Sequence, residues 1–312
     1  MGKPIAVITG ARSYTGSAVA RELAGRGFAL RTLTNRTDAI HDPGPMEVRP
    51  LQFTDEEALL DAMRGASVFV NTYWVRYPQA GHSFDEAVRR SGWLFDGARA
   101  AGVDRLVHVS VSNPSPDSKL DYYRGKAEVE DLVRASGMSH AIVRPTLIVG
   151  GQDILINNIA WFLRRLPLFA MPGRGDYRVQ PITLEDVGTI IADACQGTRD
   201  ETVDAAGPEV MTFEELVRDI AAAIDRPARI VHFPAWLSLA LIRMVGWFKG
   251  EVILARQELD GLAQELLVSH EPPRGRTSVR QWLREHGPEL GVRYASELAR
   301  HARSPAARAA AA

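Results

Sequence analysis

Through the first half of the chain, short runs of β-branched and other apolar residues alternate with segments whose apolar positions recur every three or four residues. That alternation is the signature of βαβ units around a parallel sheet. It predicts strands over residues 5–9, 29–34, 47–50, 67–71, 105–110 and 140–143, nearly continuous apolar runs of the kind covered on both faces. Helices are predicted over 16–26, 55–64, 84–101 and 123–135, several ending at a glycine (Gly27, Gly65, Gly102, Gly137) able to take up a left-handed conformation. After Gly150 the pattern loosens, and Pro167, Pro172, Gly173 and Gly175 punctuate it. Residues 203–208 read as a late strand and turn, and Thr212-Phe213-Glu214-Glu215 as a capping box opening a helix to Ile224. Residues 234–268 read as mainly helical, with one more helix over 276–286. The expected class is α/β: a doubly wound parallel sheet in residues 1–150 with return segments near 178–208, and a smaller, mostly helical C-terminal domain from 151–177 and 209–303. The Ala/Arg-rich end, 304–312, is expected to fray.

Composition narrows the partners. Of 312 residues, 46% are hydrophobic, enough for one large core or two coupled ones. Lys and Arg number 37 against 38 Asp and Glu, a net charge of -1 that lacks the basic footprint of a nucleic-acid binder. The single cysteine, Cys195, forms no internal disulfide and lies in an apolar helical stretch as a small buried hydrophobe, so a cytoplasmic setting is expected. The apolar run at 5–10 is too short for a signal peptide and leads directly into a glycine loop. The stretch 235–248 contains Arg243 and falls short of the roughly 20 residues that cross a bilayer. It reads as core or the wall of a substrate pocket, or as a surface helix for a membrane or another subunit. The eight histidines show no paired ligand spacing, so no metal is expected. Monomer and homodimer both remain open.

Gly10-Ala11-Arg12-Ser13-Tyr14-Thr15-Gly16 joins the first strand to the first helix, where amide groups and the helix dipole can hold a pyrophosphate. Ser13 stands where a middle glycine is commoner, and the absence of Lys after Gly16 excludes a Walker A loop. At the tip of the second strand, Thr34-Asn35-Arg36 supplies no carboxylate to hold the ribose 2′-hydroxyl of NAD. Arg36 with Arg12 could instead clamp a 2′-phosphate, so NADP is preferred and NAD is the second choice. Asn71 and Thr72, following the fourth strand at the mouth of such a sheet, are candidate cofactor contacts.

Tyr122-Tyr123-Arg124-Gly125-Lys126 contains Y-x-x-x-K, which on a helix puts Tyr122 and Lys126 on one face. An adjacent ammonium favours phenolate and moves a phenol toward a useful acid–base range. The same lysine could hold the nicotinamide ribose. Ser110 or Ser112, at the end of the fifth strand, could polarise a substrate oxygen or simply cap a turn.

The glycine loop, Tyr122 with Lys126, and Arg144-Pro145 after the next strand together resemble the extended and atypical short-chain dehydrogenase/reductase superfamily over about residues 4–210. Within it, His108-Val109-Ser110 through Tyr122-Tyr123-Arg124-Gly125-Lys126-Ala127-Glu128 is most similar to the branch related to the nucleotide-binding accessory subunit of respiratory complex I, with NmrA-like proteins nearby. The resemblance implies a Rossmann domain with strand order 3-2-1-4-5-6-7 and a C-terminal substrate domain. It implies Tyr122 as proton donor or acceptor, Lys126 on the ribose and a serine on the carbonyl; Gly10, Arg12, Ser13, Tyr14, Thr15, Gly16, Arg36, Asn71, Thr72 and Pro145 are the residues expected around the cofactor. Leu51-Gln52-Phe53 departs from it in lacking the acid often used near adenine. The leading expectation is an NAD(P)H-dependent oxidoreductase acting on a carbonyl or quinone-like small molecule. The alternatives are a sugar-nucleotide epimerase or dehydratase, and a non-catalytic NADPH-binding assembly or redox-sensor protein.

Overall fold

In the computed structural model, residues 2–35, 44–75, 78, 83–234 and 256–296 are described. The chain comprises two compact units, Met1–Pro145 with Leu184–Ala205, and Thr146–Thr183 with Ala206–Ala312.

The first unit is an α/β Rossmann fold. Its strands are β1 (Ile5–Thr9), β2 (Ala29–Leu33), β3 (Glu47–Arg49), β4 (Val68–Asn71), β5 (Arg105–Val109), β6 (Ser139–Pro145) and, returning late in sequence, a strand at Glu201–Ala205. All neighbouring pairs run parallel, in the order β3-β2-β1-β4-β5-β6 followed by the late strand. This is the order the resemblance implies, with the switch point between β1 and β4, where such sheets open toward a ligand. The crossovers are α1 (Tyr14–Gly25), α2 (Glu56–Met63), α3 (Phe84–Ala100) and α4 (Asp121–Ala135), and a further helix, Leu184–Gln196, precedes the late strand. One core joins Val7, Phe69, Leu106 and Ile142 of the strands to Met63, Leu94, Phe95 and Val129 of the helices. Cys195 is buried in the helix Leu184–Gln196, and burial pushes its thiol up to about 12.

Among the described residues, the second unit combines helices with three two-stranded sheets. Its core gathers Ile156, Ile159 and Leu163 of helix Ile154–Arg165 with Phe213, Leu216 and Ile220 of helix Phe213–Ala223 and with Trp282 and Leu283 of helix Val279–His286. The capping box expected at Thr212 is formed: Thr212 Oγ1 accepts from the Glu215 amide at 3.1 Å, and Glu215 Oε2 accepts from the Thr212 amide at 2.7 Å. The helix expected over 276–286 begins at Val279, capped by Ser278. The apolar stretch 235–248, Arg36 and the tail 304–312 lie outside the described residues.

Candidate functional site

The glycine loop is built around one close approach. Gly10 has φ +65°, and a Cβ on Gly16 would lie 2.2 Å from the Gly10 carbonyl oxygen, so only glycine lets the helix start so near the strand. Ser13, in place of the commoner glycine, is the N-cap of α1: its Oγ accepts from the Gly16 amide at 3.3 Å. The loop is pinned to the second strand by Gly10 N donating to the Leu33 carbonyl (3.0 Å) and Ala11 N donating to Thr32 Oγ1 (3.0 Å). The first-turn amides of Tyr14 and Thr15 lie outside the helix's own ladder. Arg12 Nε is buried with no hydrogen-bond partner among the described residues. A cradle that only glycine allows, with an unpaired guanidinium nitrogen in it, fits an anionic group such as a dinucleotide phosphate.

At the end of β4, Asn71 is buried: its Oδ1 accepts from Thr9 Oγ1 at 3.2 Å and from the Tyr73 amide at 3.1 Å, and its Nδ2 lies 3.2 Å from His108 Nδ1. Thr72 donates from its amide to Thr9 Oγ1 (2.7 Å) and from its hydroxyl to the Thr9 carbonyl, beside Gly10. Thr72 therefore borders the loop, and Asn71 fastens the strand beneath it.

Tyr122 and Lys126 project from one face of α4 onto the same side chain, Trp74. The indole meets the Tyr122 ring edge-on at a centroid distance of 6.0 Å and covers the Lys126 ammonium at 4.6 Å. Phe84 stacks on Trp74 at 5.8 Å, and Tyr122 also packs edge-on against Phe84 and Tyr123. Lys126 is buried and donates to the Val109 carbonyl at 2.9 Å. Burial lowers its pKa to about 7, against the opposing pull of Glu130. His108 is held neutral, well below its ordinary range, by burial first and then by Lys126.

Ser110 and Ser112 are both buried, with their amides donating to the Val143 (2.7 Å) and Pro145 (2.9 Å) carbonyls, so Pro145 anchors the segment after β5. Glu130 is buried one turn beyond Lys126. Burial works against its carboxylate, but the Arg144 fork (2.8 and 2.6 Å), Ser110 and Arg134 hold its pKa below the ordinary value. Arg144 thus ties β6 to α4. The sequence reading missed Trp74, His108 and Glu130. Glu130 was open to detection as the i+4 partner of Lys126.

Residues 10–156 match the NAD(P)H-binding family. The chain therefore carries an NAD(P)-binding Rossmann domain. It is 25% identical over 251 residues to NADH dehydrogenase [ubiquinone] 1 alpha subcomplex subunit 9, mitochondrial, of Arabidopsis thaliana, an alignment covering 76% of this chain and 62% of that protein. It is 27% identical over 237 residues to ceramide reductase of Caulobacter vibrioides, covering 74% of each chain. Among solved structures, an NADPH-dependent quinone oxidoreductase from Escherichia coli, complexed with NADPH, matches with a TM-score of 0.72 at 17% identity, over 90% of this chain and 99% of that one. Among the described residues, no helix is long and apolar enough to cross a membrane.

Proposed function

We propose that the protein binds NADPH in the Gly10–Gly16 loop and reduces a carbonyl or quinone-like small molecule, with Tyr122 giving the proton. The observation that carries this reading is the convergence of Tyr122 and Lys126 on one aromatic wall, on the helix that follows β5. When bound, the dihydronicotinamide supplies a hydride to the carbonyl carbon. Tyr122 donates its proton to the carbonyl oxygen and is reprotonated from solvent. In its protonated form Lys126 stabilises the phenolate, and it holds ribose hydroxyls. Ser112 or Ser110 polarises the oxygen. The α1 first turn holds the pyrophosphate, and Arg12 holds the 2′-phosphate that distinguishes NADPH from NADH.

Steady-state reduction of a panel of carbonyls and quinones tests it. Tyr122→Phe is expected to lower kcat by about 10²-fold or more while the dinucleotide Kd, measured by calorimetry, stays unchanged. Turnover that survives this substitution would sink the assignment. A second reading, a cofactor-bearing assembly component without turnover, is favoured by the internal engagement of Lys126 with Val109 and Trp74 and by the similarity to complex I subunits. Tight dinucleotide binding with no acceptor reduced, together with a copurifying partner, would support that reading instead.

A further inference from the structure

Lys126 is 3% exposed. One of its three protons goes to the Val109 carbonyl, and the Trp74 indole lies across the ammonium. A ribose diol cannot form hydrogen bonds to a group in that condition. The indole is fitted to its place by shape: a Cβ at residue 125 would meet Trp74 Cη2 at 3.0 Å and Cζ2 at 3.4 Å, so Gly125 makes room for it, and Phe84 backs it at 5.8 Å with the rings 12° from parallel. No hydrogen bond anchors it, because Nε1 is buried without a partner among the described residues. A cover held by ring contacts and apolar packing, with its polar atom unsatisfied, is suited to leave when a better set of contacts becomes available.

We propose that Trp74 is a displaceable cover on Lys126, occupying the place of the nicotinamide-side ribose until a dinucleotide moves it aside. This rests on the cofactor reading above. The adenosine half, held at the Gly10–Gly16 loop, does not require the movement, whereas the nicotinamide half does. Free energy spent in uncovering Lys126 therefore weakens dinucleotides and leaves adenosine nucleotides untouched.

Calorimetry on the full chain with two probes separates the halves: NADP⁺, and adenosine 2′,5′-bisphosphate, which lacks the second ribose. NAD⁺ and ADP form the equivalent pair. Trp74→Leu is expected to tighten the dinucleotide about tenfold and leave the mononucleotide Kd unchanged. Equal shifts for both probes, or none, would overturn the proposal. A crystal structure of the wild-type protein with saturating NADP⁺ tests it without a variant. The expected result is an indole off the ammonium and Lys126 Nζ within hydrogen-bond distance of a ribose hydroxyl. An indole still across Lys126 in the loaded protein overturns the proposal and leaves the cofactor reading intact. Failure of every probe to bind overturns the cofactor reading and this inference with it.

Discussion

Gly16 carries the clearest single-residue constraint in the loop. Its missing Cβ is what lets the first turn of α1 sit against the Gly10 carbonyl, 2.2 Å from where that carbon would be. Gly16→Ala must push strand and helix apart, and the Ser13 cap, which bonds the Gly16 amide, moves with them. The expected outcome is a loss of about 1–3 kcal/mol in stability and at least a tenfold weaker dinucleotide Kd, read by thermal unfolding and calorimetry. Unchanged binding in a folded Gly16→Ala protein would place the pyrophosphate elsewhere. Ser13 was legible as a member of the loop but not as its cap, because capping is decided by where helical geometry begins. Trp74 was not legible at all. Only the register that sets Asn71 opposite His108, with α4 packed on β5 and β6, brings a residue three positions past β4 onto Lys126.

At the scale of elements, the parallel sheet was readable because each of its strands is followed by a helix or a turn with strong punctuation. The small sheets of the second unit were not. Strands such as Arg178–Val179 and Met211–Thr212 have two residues, too short to show alternation, and they are fixed by their partners. The polar tie between α4 and β6 belongs to this scale as well. Glu130 is 1% exposed and receives the Arg144 fork from β6 and Arg134 from its own helix, so one carboxylate holds two elements in register. Glu130→Gln removes the charge and leaves Arg144 half-buried without its counterion, a cost of about 2 kcal/mol after allowing for the partial exposure of both arginines. Asp131→Asn, at an exposed neighbouring carboxylate that pairs with Arg134, should change stability by less than about 0.5 kcal/mol. Chemical denaturation of the two variants makes the comparison, and equal losses would show that the Glu130–Arg144 pair contributes no more than a surface pair.

For the molecule as a whole, buried ionisable groups set how stability changes with pH. Lys126 has a folded pKa of about 7 against an ordinary 10.5. Between those values the unfolded chain holds a proton that the folded chain has given up, so stability rises with pH through that window. His108, kept neutral well below 6.5, acts with the same sign lower down: as pH falls through 6.5 the unfolded chain takes up a proton that the folded chain refuses, and stability falls. Cys195 opposes them at the alkaline end. Its thiol, raised from 9.0 to about 12, keeps a proton that the unfolded chain loses above pH 9, so its own contribution falls from there upward and total stability declines once pH passes the unfolded lysine value of 10.5. The Lys126 gain and the Cys195 loss cancel between the two unfolded values, 9.0 and 10.5, so the maximum lies between them, above the sequence pI of 6.7. Urea midpoints measured from pH 5.5 to 10 should trace this curve. Lys126→Met should flatten the limb between pH 7 and 9, and His108→Gln should remove the drop below 6.5. A wild-type maximum at or below pH 7, with Lys126→Met leaving the slope unchanged, would mean that the ammonium stays charged in the fold, and the cover formed by Trp74 would then enclose a cation throughout the working range.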